Sequence, residues 1–188
     1  AKAVFSAGQP AAELPASTQL QGGYYVEPLT RAGRAFVFGG GHVSQALAPL
    51  LAQLDFPVTV FEDRPAFADP ALFFGAAETV HGDFSDIFAT VTLGPQDYAI
   101  IMTRGHQADY EVLRQVLKTP ACYVGVIGSR HKVAATNKRL LESGVAEAEL
   151  ARIHSPIGLP IGAETPAEIA VSVAAELILH RCGKGESA

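Results

Sequence analysis

Cysteine is scarce: the chain has two in 188 residues, Cys122 and Cys182. Two thiols so far apart make neither a disulfide framework nor, alone, a structural zinc site. Such usage suits a reducing cytoplasm. No apolar run approaches the roughly 20 residues that cross a bilayer. Pro10, Glu13 and Pro15 interrupt any N-terminal signal core, which needs about 7–15 unbroken apolar residues. Positive charge is in deficit, with 14 Lys and Arg against 19 Asp and Glu and a net charge of −5. Nucleic acid and anionic membranes are therefore not expected as general partners. Charged residues make up only 18% and hydrophobic ones 48%, the balance of a folded globule and not of a disordered chain. No internal repeat is present. The length suits one domain, or one domain with a small appendage, and allows about 70% of the unfolded surface to be buried.

Residues 1–23 are rich in Ala, Gln, Pro and Gly and read as a flexible lead-in. A single domain is expected over 24–182, with 183–188 as a tail. Tyr24 to Leu29 is a short apolar run suited to an edge strand. Arg34 to Phe38 is a compact strand-type run. After it, Val43, Ala46, Leu47, Leu50, Leu51 and Leu54 recur at helical spacing. Pro49 lies inside that helix, where it costs roughly 3 kcal/mol or forces a kink. Further strands are expected at Val58 to Phe61, Thr79 to His81, Tyr98 to Met102 and Cys122 to Ile127. Helices are expected over Asp109 to Lys118 and His131 to Glu142. A last helix opens at Thr165-Pro166-Ala167-Glu168, a capping box with proline at the first helical position. Short apolar strands alternating with helices predict an α/β fold, a Rossmann-like and mostly parallel sheet with helices on both faces. In such sheets the ligand site lies beyond the strands' C-terminal ends.

Three loops there carry candidate chemistry. Gly39-Gly40-Gly41-His42-Val43-Ser44 follows a strand and opens a helix. Gly39 and Gly41 match the first two glycines of G-x-G-x-x-G, and Ser44 takes the third place. Glycines there let backbone N–H groups approach a phosphate at a helix N-terminus. Asp63 lies 22 residues past Gly41, where an acidic group accepts a ribose hydroxyl, and Arg64 follows it. The alternative is a tight turn with no ligand. Thr103-Arg104-Gly105-His106 offers a guanidinium fork, a permissive glycine and an imidazole. The alternative is an ordinary helix start with a surface arginine. Gly128-Ser129-Arg130-His131-Lys132 sets two cations at a helix N-terminus, where the macrodipole opposes them. An anionic ligand or simple solvated charge accounts for them equally well. Ile153 to Glu164 is expected as a loop folded over the crevice or packed as a rigid connection. Glu176 is expected as a buried partner of some cation. Cys122 is expected to be inert core and Cys182 exposed.

Taken in order, VFGGGHVSQAL, FEDRPAFADP, TRGHQADYEVL, YVGVIGSRHK and PIGLPIGAETPAEIAVSVAAE resemble the Rossmann domain of the XdhC/CoxI family, from about Val26 to Arg181. The resemblance implies a maturation factor for molybdenum hydroxylases such as xanthine dehydrogenase. Such a protein binds the molybdenum cofactor while a cysteine desulfurase supplies its sulfido ligand, then passes it to the apo-enzyme. Longer family members add an N-terminal domain with a Cys-Gly motif. The resemblance does not reach that domain, so its cysteine's role is not carried over.

On this reading a phosphate or pyrophosphate of the pterin sits on Gly39, Gly40, Gly41 and His42. Asp63, Arg64, Thr103, Arg104, Gly105, His106, Gly128, Ser129, Arg130 and Lys132 complete the site. No metal site and no turnover of its own are expected. A second reading is an NAD(P)-dependent oxidoreductase using the same loop, although no Tyr-x-x-x-Lys pair is evident. A third is a structural module that assembles with a separate chain. A two-fold homodimer is expected on general grounds.

Overall fold

The computed structural model describes residues 19–21, 24–26 and 33–183, without the side chains of 19–26 and 130–132. The chain divides into two compact units, Ala1–Arg31 and Ala32–Ala188. In the first, β1 (Gln19–Gln21) and β2 (Tyr24–Val26) pair antiparallel, with Leu20 opposite Tyr25. Tyr24 to Val26 is thus a strand, but in its own two-stranded sheet and not on the edge of the large one. Its partner β1 falls within the expected lead-in. Residues 27–29 of the expected edge strand, and 1–18 and 184–188, lie outside the described residues.

The second unit is an α/β fold of the Rossmann type. Its elements are β3 (Ala35–Phe38), α1 (His42–Gln53), β4 (Val58–Glu62), β5 (Glu78–His81), β6 (Tyr98–Ile101), α2 (His106–Val116), β7 (Tyr123–Val126), α3 (Arg130–Glu142), α4 (Glu147–Leu150), β8 (Ile153–His154) and α5 (Pro166–Arg181). Six strands form one sheet in the order β5-β4-β3-β6-β7-β8, and every pair is parallel.

The strands alternate between two cores. Ala35, Val37, Val58, Val60 and Ile100 face α1 and α5, meeting Leu47, Leu51, Val173 and Leu177. Phe36, Phe38, Phe61, Ile101 and Val124 face α2 and α3, meeting Val112, Leu113, Val116 and Leu140. Both faces are covered, so β3, β4, β6 and β7 are buried along their whole length. Fully burying one such Val, Ile or Phe contributes about 1.5–3 kcal/mol. Helix α1 runs unbroken through Pro49. Helix α5 opens with the expected capping box: Thr165 Oγ1 accepts the Glu168 amide at 3.3 Å, and Glu168 Oε2 accepts the Thr165 amide at 2.8 Å.

The short β8 and α4 were not expected from the sequence. The segment after β8 packs on α5. The Leu159 amide donates to the Ser172 carbonyl at 3.2 Å, Ser172 Oγ donates to the Leu159 carbonyl at 2.6 Å, and Ile157 is buried. Cys122 is not the inert core residue expected. It precedes β7 and is exposed, as Cys182 is.

Candidate functional site

The chain leaves β3 through α1 to β4 on one side, and leaves β6 through α2 to β7 on the other. Strands β3 and β6 are neighbours, while α1 and α2 lie on opposite faces. Their N-termini diverge over the C-terminal ends of the two central strands. That is the switch point at which open α/β sheets bind ligands.

The three glycines of the β3–α1 loop have three different reasons to be there. Gly39 has φ +110°, and a Cβ on it would lie 2.3 Å from the Met102 carbonyl oxygen. A Cβ on Gly40 would lie 2.3 Å from the Phe67 carbonyl oxygen. These two let the loop pass against β6 and the segment after β4. Gly41 differs. It caps α1 with φ −71°, and a Cβ there would meet nothing within 4 Å. Nothing in the described protein demands glycine at 41; open space beside an anion-attracting helix N-terminus does suit an approaching ligand. Gly105 caps α2 with φ +88°, which itself favours glycine, and it too has open space around its Cβ position. Gln45 Nε2 holds the loop through the Gly40 carbonyl at 3.0 Å. His42 is exposed, and Ser44, in the third glycine position, is fully buried with Oγ donating to Met102 Sδ at 3.7 Å.

At the end of β4 the acid aimed at the glycine loop is Glu62. Its side chain is 1% exposed, and Oε2 accepts the Gly40 amide at 2.6 Å. Arg64 grips the same carboxylate in bidentate fashion, Nε to Oε1 at 2.7 Å and Nη2 to Oε2 at 3.0 Å. Burial alone would push the Glu62 carboxyl up, but the Arg64 guanidinium, the Asp63 side chain and the Gly40 and Arg64 amides outweigh it, and the group is held low. Asp63, singled out from the sequence, is 40% exposed with Oδ1 3.8 Å from Arg64 Nε. Its carboxyl is pushed up by burial and by Glu62, against the pull of Arg64 and Arg104. The Arg64 guanidinium also stacks 3.8 Å over the Phe67 ring.

Beyond β6, the Thr103 amide and hydroxyl both donate to Asp109 Oδ1, at 3.1 and 2.5 Å. Asp109 is buried in the first turn of α2, which its charge favours. Arg104 and His106 are exposed. Gly39 to Gly41, Glu62 to Arg64 and Thr103 to His106 therefore meet at one end of the sheet. Gly128 and Ser129 follow the next strand, and the Ser129 carbonyl accepts the Val133 amide at 3.1 Å. The side chains of Arg130 and Lys132 lie outside the described residues.

A second cluster sits on the α5 face. Glu176 accepts from Tyr123 Oη at 3.0 Å and from the Gly158 amide, and faces His154 Nδ1 at 3.3 Å. The side chain opposite Glu176 is a histidine, joined by two neutral donors. His154 stacks on Tyr123 with ring centroids 4.5 Å apart, and His180 packs edge-on against both. Among the described residues no group of three or more His, Cys, Asp or Glu is arranged to hold a metal ion. No described helix is long and apolar enough to cross a membrane.

Residues 35–177 match the family model of the XdhC Rossmann domain. The chain belongs to this family. The Escherichia coli (strain K12) protein YqeB is 36% identical over 146 residues, covering 77% of this chain and 27% of YqeB. A probable xanthine dehydrogenase subunit of Bacillus subtilis (strain 168) is 32% identical over 157 residues, covering 84% of this chain and 46% of that one. The crystal structure of a xanthine dehydrogenase from Bacillus halodurans superposes with a TM-score of 0.72 at 28% identity, over 88% of this chain and 46% of that chain. This XdhC domain thus spans less than half the length of each of these relatives.

Proposed function

We propose that this XdhC domain binds the molybdenum cofactor at the β3–β6 switch point and serves the maturation of a molybdenum hydroxylase such as xanthine dehydrogenase. Family membership and the names of the two xanthine dehydrogenase relatives support that assignment. The observation that carries the site is the pair of helix N-termini capped by Gly41 and Gly105, each with empty space where a Cβ would sit. A phosphate-bearing group fits such a cradle, with backbone N–H groups and helix dipoles facing it. When bound, the cofactor would supply the metal centre that the hydroxylase uses. The chain's own residues hold the phosphate, with Arg104 adding positive charge from the α2 side.

In this reading a cysteine desulfurase delivers sulfur to the held cofactor and the apo-hydroxylase receives it. The domain acts in the cytoplasm, self-associates as a two-fold dimer and has no turnover of its own. The deciding experiment is a thermal-shift series with isolated molybdenum cofactor, NAD+ and NADP+. Stabilisation by the molybdenum cofactor, lost in Gly41→Val, is expected. Stabilisation by the nicotinamide nucleotides alone, with steady NAD(P)H consumption, would shift the reading to an oxidoreductase. A monomeric mass by light scattering at micromolar concentration would remove the dimer.

A further inference from the structure

We infer that Arg64 makes this site selective for a ligand carrying a terminal phosphate monoester. The inference rests on the reading of the Gly41 loop as a ligand site and names the chemistry that the site prefers.

A dinucleotide site that recognises a ribose diol presents free carboxylate oxygens at the end of the second strand. Here the buried carboxylate, Glu62, has both oxygens engaged. Oε1 takes the Arg64 amide and Nε, while Oε2 takes the Gly40 amide and Arg64 Nη2. It offers no diol an acceptor. What reaches solvent from this pair is the Arg64 side chain, 26% exposed against 1% for Glu62. The other acid at this strand end is Asp63, whose Oδ1 lies 3.8 Å from Arg64 Nε, so its charge too stands beside the same guanidinium.

The guanidinium is also fixed in place. Glu62 holds one edge in two hydrogen bonds and the Phe67 ring covers one face at 3.8 Å. Phe67 in turn abuts the glycine loop, since its carbonyl oxygen lies 2.3 Å from where a Gly40 Cβ would sit. Arg64 and the Gly40 amide share the single oxygen Glu62 Oε2, so the cation sits directly beside the loop. Nη1 donates to no described residue. A rigid guanidinium with a donor to spare matches the dianionic oxygens of a phosphate monoester. A pyrophosphate diester carries less charge per phosphorus and has no terminal group to give it. Two sources share that chemistry: the 2′-phosphate of a nicotinamide dinucleotide, and the terminal phosphate of a pterin cofactor that carries no second nucleotide.

The test uses two pairs of probes that differ by one phosphate monoester. The first is NADP+ against NAD+. The second is the oxidised, fluorescent pterin cofactor before and after phosphatase treatment. Affinities are measured for the whole chain by calorimetry or fluorescence. At least one pair should show about tenfold tighter binding of the phosphorylated member. Arg64→Met should abolish that ratio while weaker binding of the unphosphorylated member persists. If Arg64→Met fails to fold because Glu62 loses its partner, the neutral pair Glu62→Gln with Arg64→Met serves instead. Selectivity in the nicotinamide pair alone upholds the role of Arg64 and counts against the pterin reading; selectivity in the pterin pair upholds both. Equal affinity within both pairs, or a ratio that survives loss of Arg64, overturns the inference. Binding of none of the four probes overturns the loop as a ligand site, and the inference with it.

Discussion

Glu62 Oε2 accepts the Gly40 amide at 2.6 Å and the Arg64 Nη2 at 3.0 Å, so one buried oxygen ties the glycine loop to the end of the neighbouring strand. Glu62→Ala would strand the Gly40 donor and leave Arg64 without its partner. An unsatisfied buried donor costs about 1–3 kcal/mol, and breaking a buried ion pair costs up to about 3–5 kcal/mol. Arg64 is partly exposed and can rehydrate, so the expected total is about 2–3 kcal/mol. For a chain of this size that lowers the melting temperature by about 4–12 °C. Glu62→Gln keeps an acceptor for the amide and should lose roughly half as much. Calorimetry of the two variants decides the point. An alanine variant within about 0.5 kcal/mol of the wild type would show that the loop holds its shape without the carboxylate.

Gly39 and Gly41 should respond to substitution in opposite ways. Gly39→Ala forces a side chain onto φ +110° and into the Met102 carbonyl. Backbone strain of about 1–3 kcal/mol plus the clash should depress stability strongly. Gly41→Val enters open space at an ordinary φ. It should change stability by about 1 kcal/mol or less, chiefly through the poorer N-cap. Its effect belongs to ligand binding, which it should abolish. Thermal melts of both variants, with a binding assay on the second, separate the two roles. A Gly41→Val protein that binds the cofactor as the wild type does would put the site elsewhere.

The fold was legible because its signals are local and repeated: apolar strands of four or five residues, helical spacing in α1, and the Thr165 to Glu168 cap. The end of β4 carries two acids, and position and side-chain alternation single out different ones. Distance from the glycines pointed to Asp63. Side-chain alternation points to Glu62, which shares the parity of Val58 and Val60 and so faces α1 and its loop. Strand β8 is two residues long and has no pattern to read. For the loop after β8 two placements stay open in the sequence, over the crevice or packed as a rigid connection, because its anchors, Ser172 and Glu176, come from α5, thirteen or more residues later. No local signal reports such a contact.

The α5 cap offers a simple stability check. Thr165 Oγ1 accepts the Glu168 amide on an exposed helix end. Thr165→Ala should cost about 1 kcal/mol, measurable as a shift in the urea midpoint with the slope unchanged. A neutral result would show that α5 is held by its packing on α1 and the sheet, with the cap contributing nothing measurable.

Glu176 should give the protein an acid-sensitive contribution to stability. Burial alone would push its carboxyl up, but His154, the Gly158 amide and the Tyr123 hydroxyl outweigh that, leaving it below the ordinary glutamate value of 4.5. A carboxyl depressed in the folded state stabilises it fully above the unfolded value and loses that contribution as pH falls through the folded one. The window therefore opens below about pH 4.5, where unfolded Glu176 takes up a proton before the folded protein does. Glu176→Gln keeps the size and one acceptor but removes the titration. Hydrogen bonds to a charged group contribute about 1.5–3 kcal/mol each, and glutamine recovers part of them. The variant should be about 1–2 kcal/mol less stable at pH 7, and the gap should shrink by half or more near pH 3. Urea unfolding of both proteins at the two pH values measures it. A deficit that stays constant across that range would assign the role of Glu176 to packing and neutral hydrogen bonding, and would leave the acid sensitivity of the fold to Glu62 at the other end of the sheet.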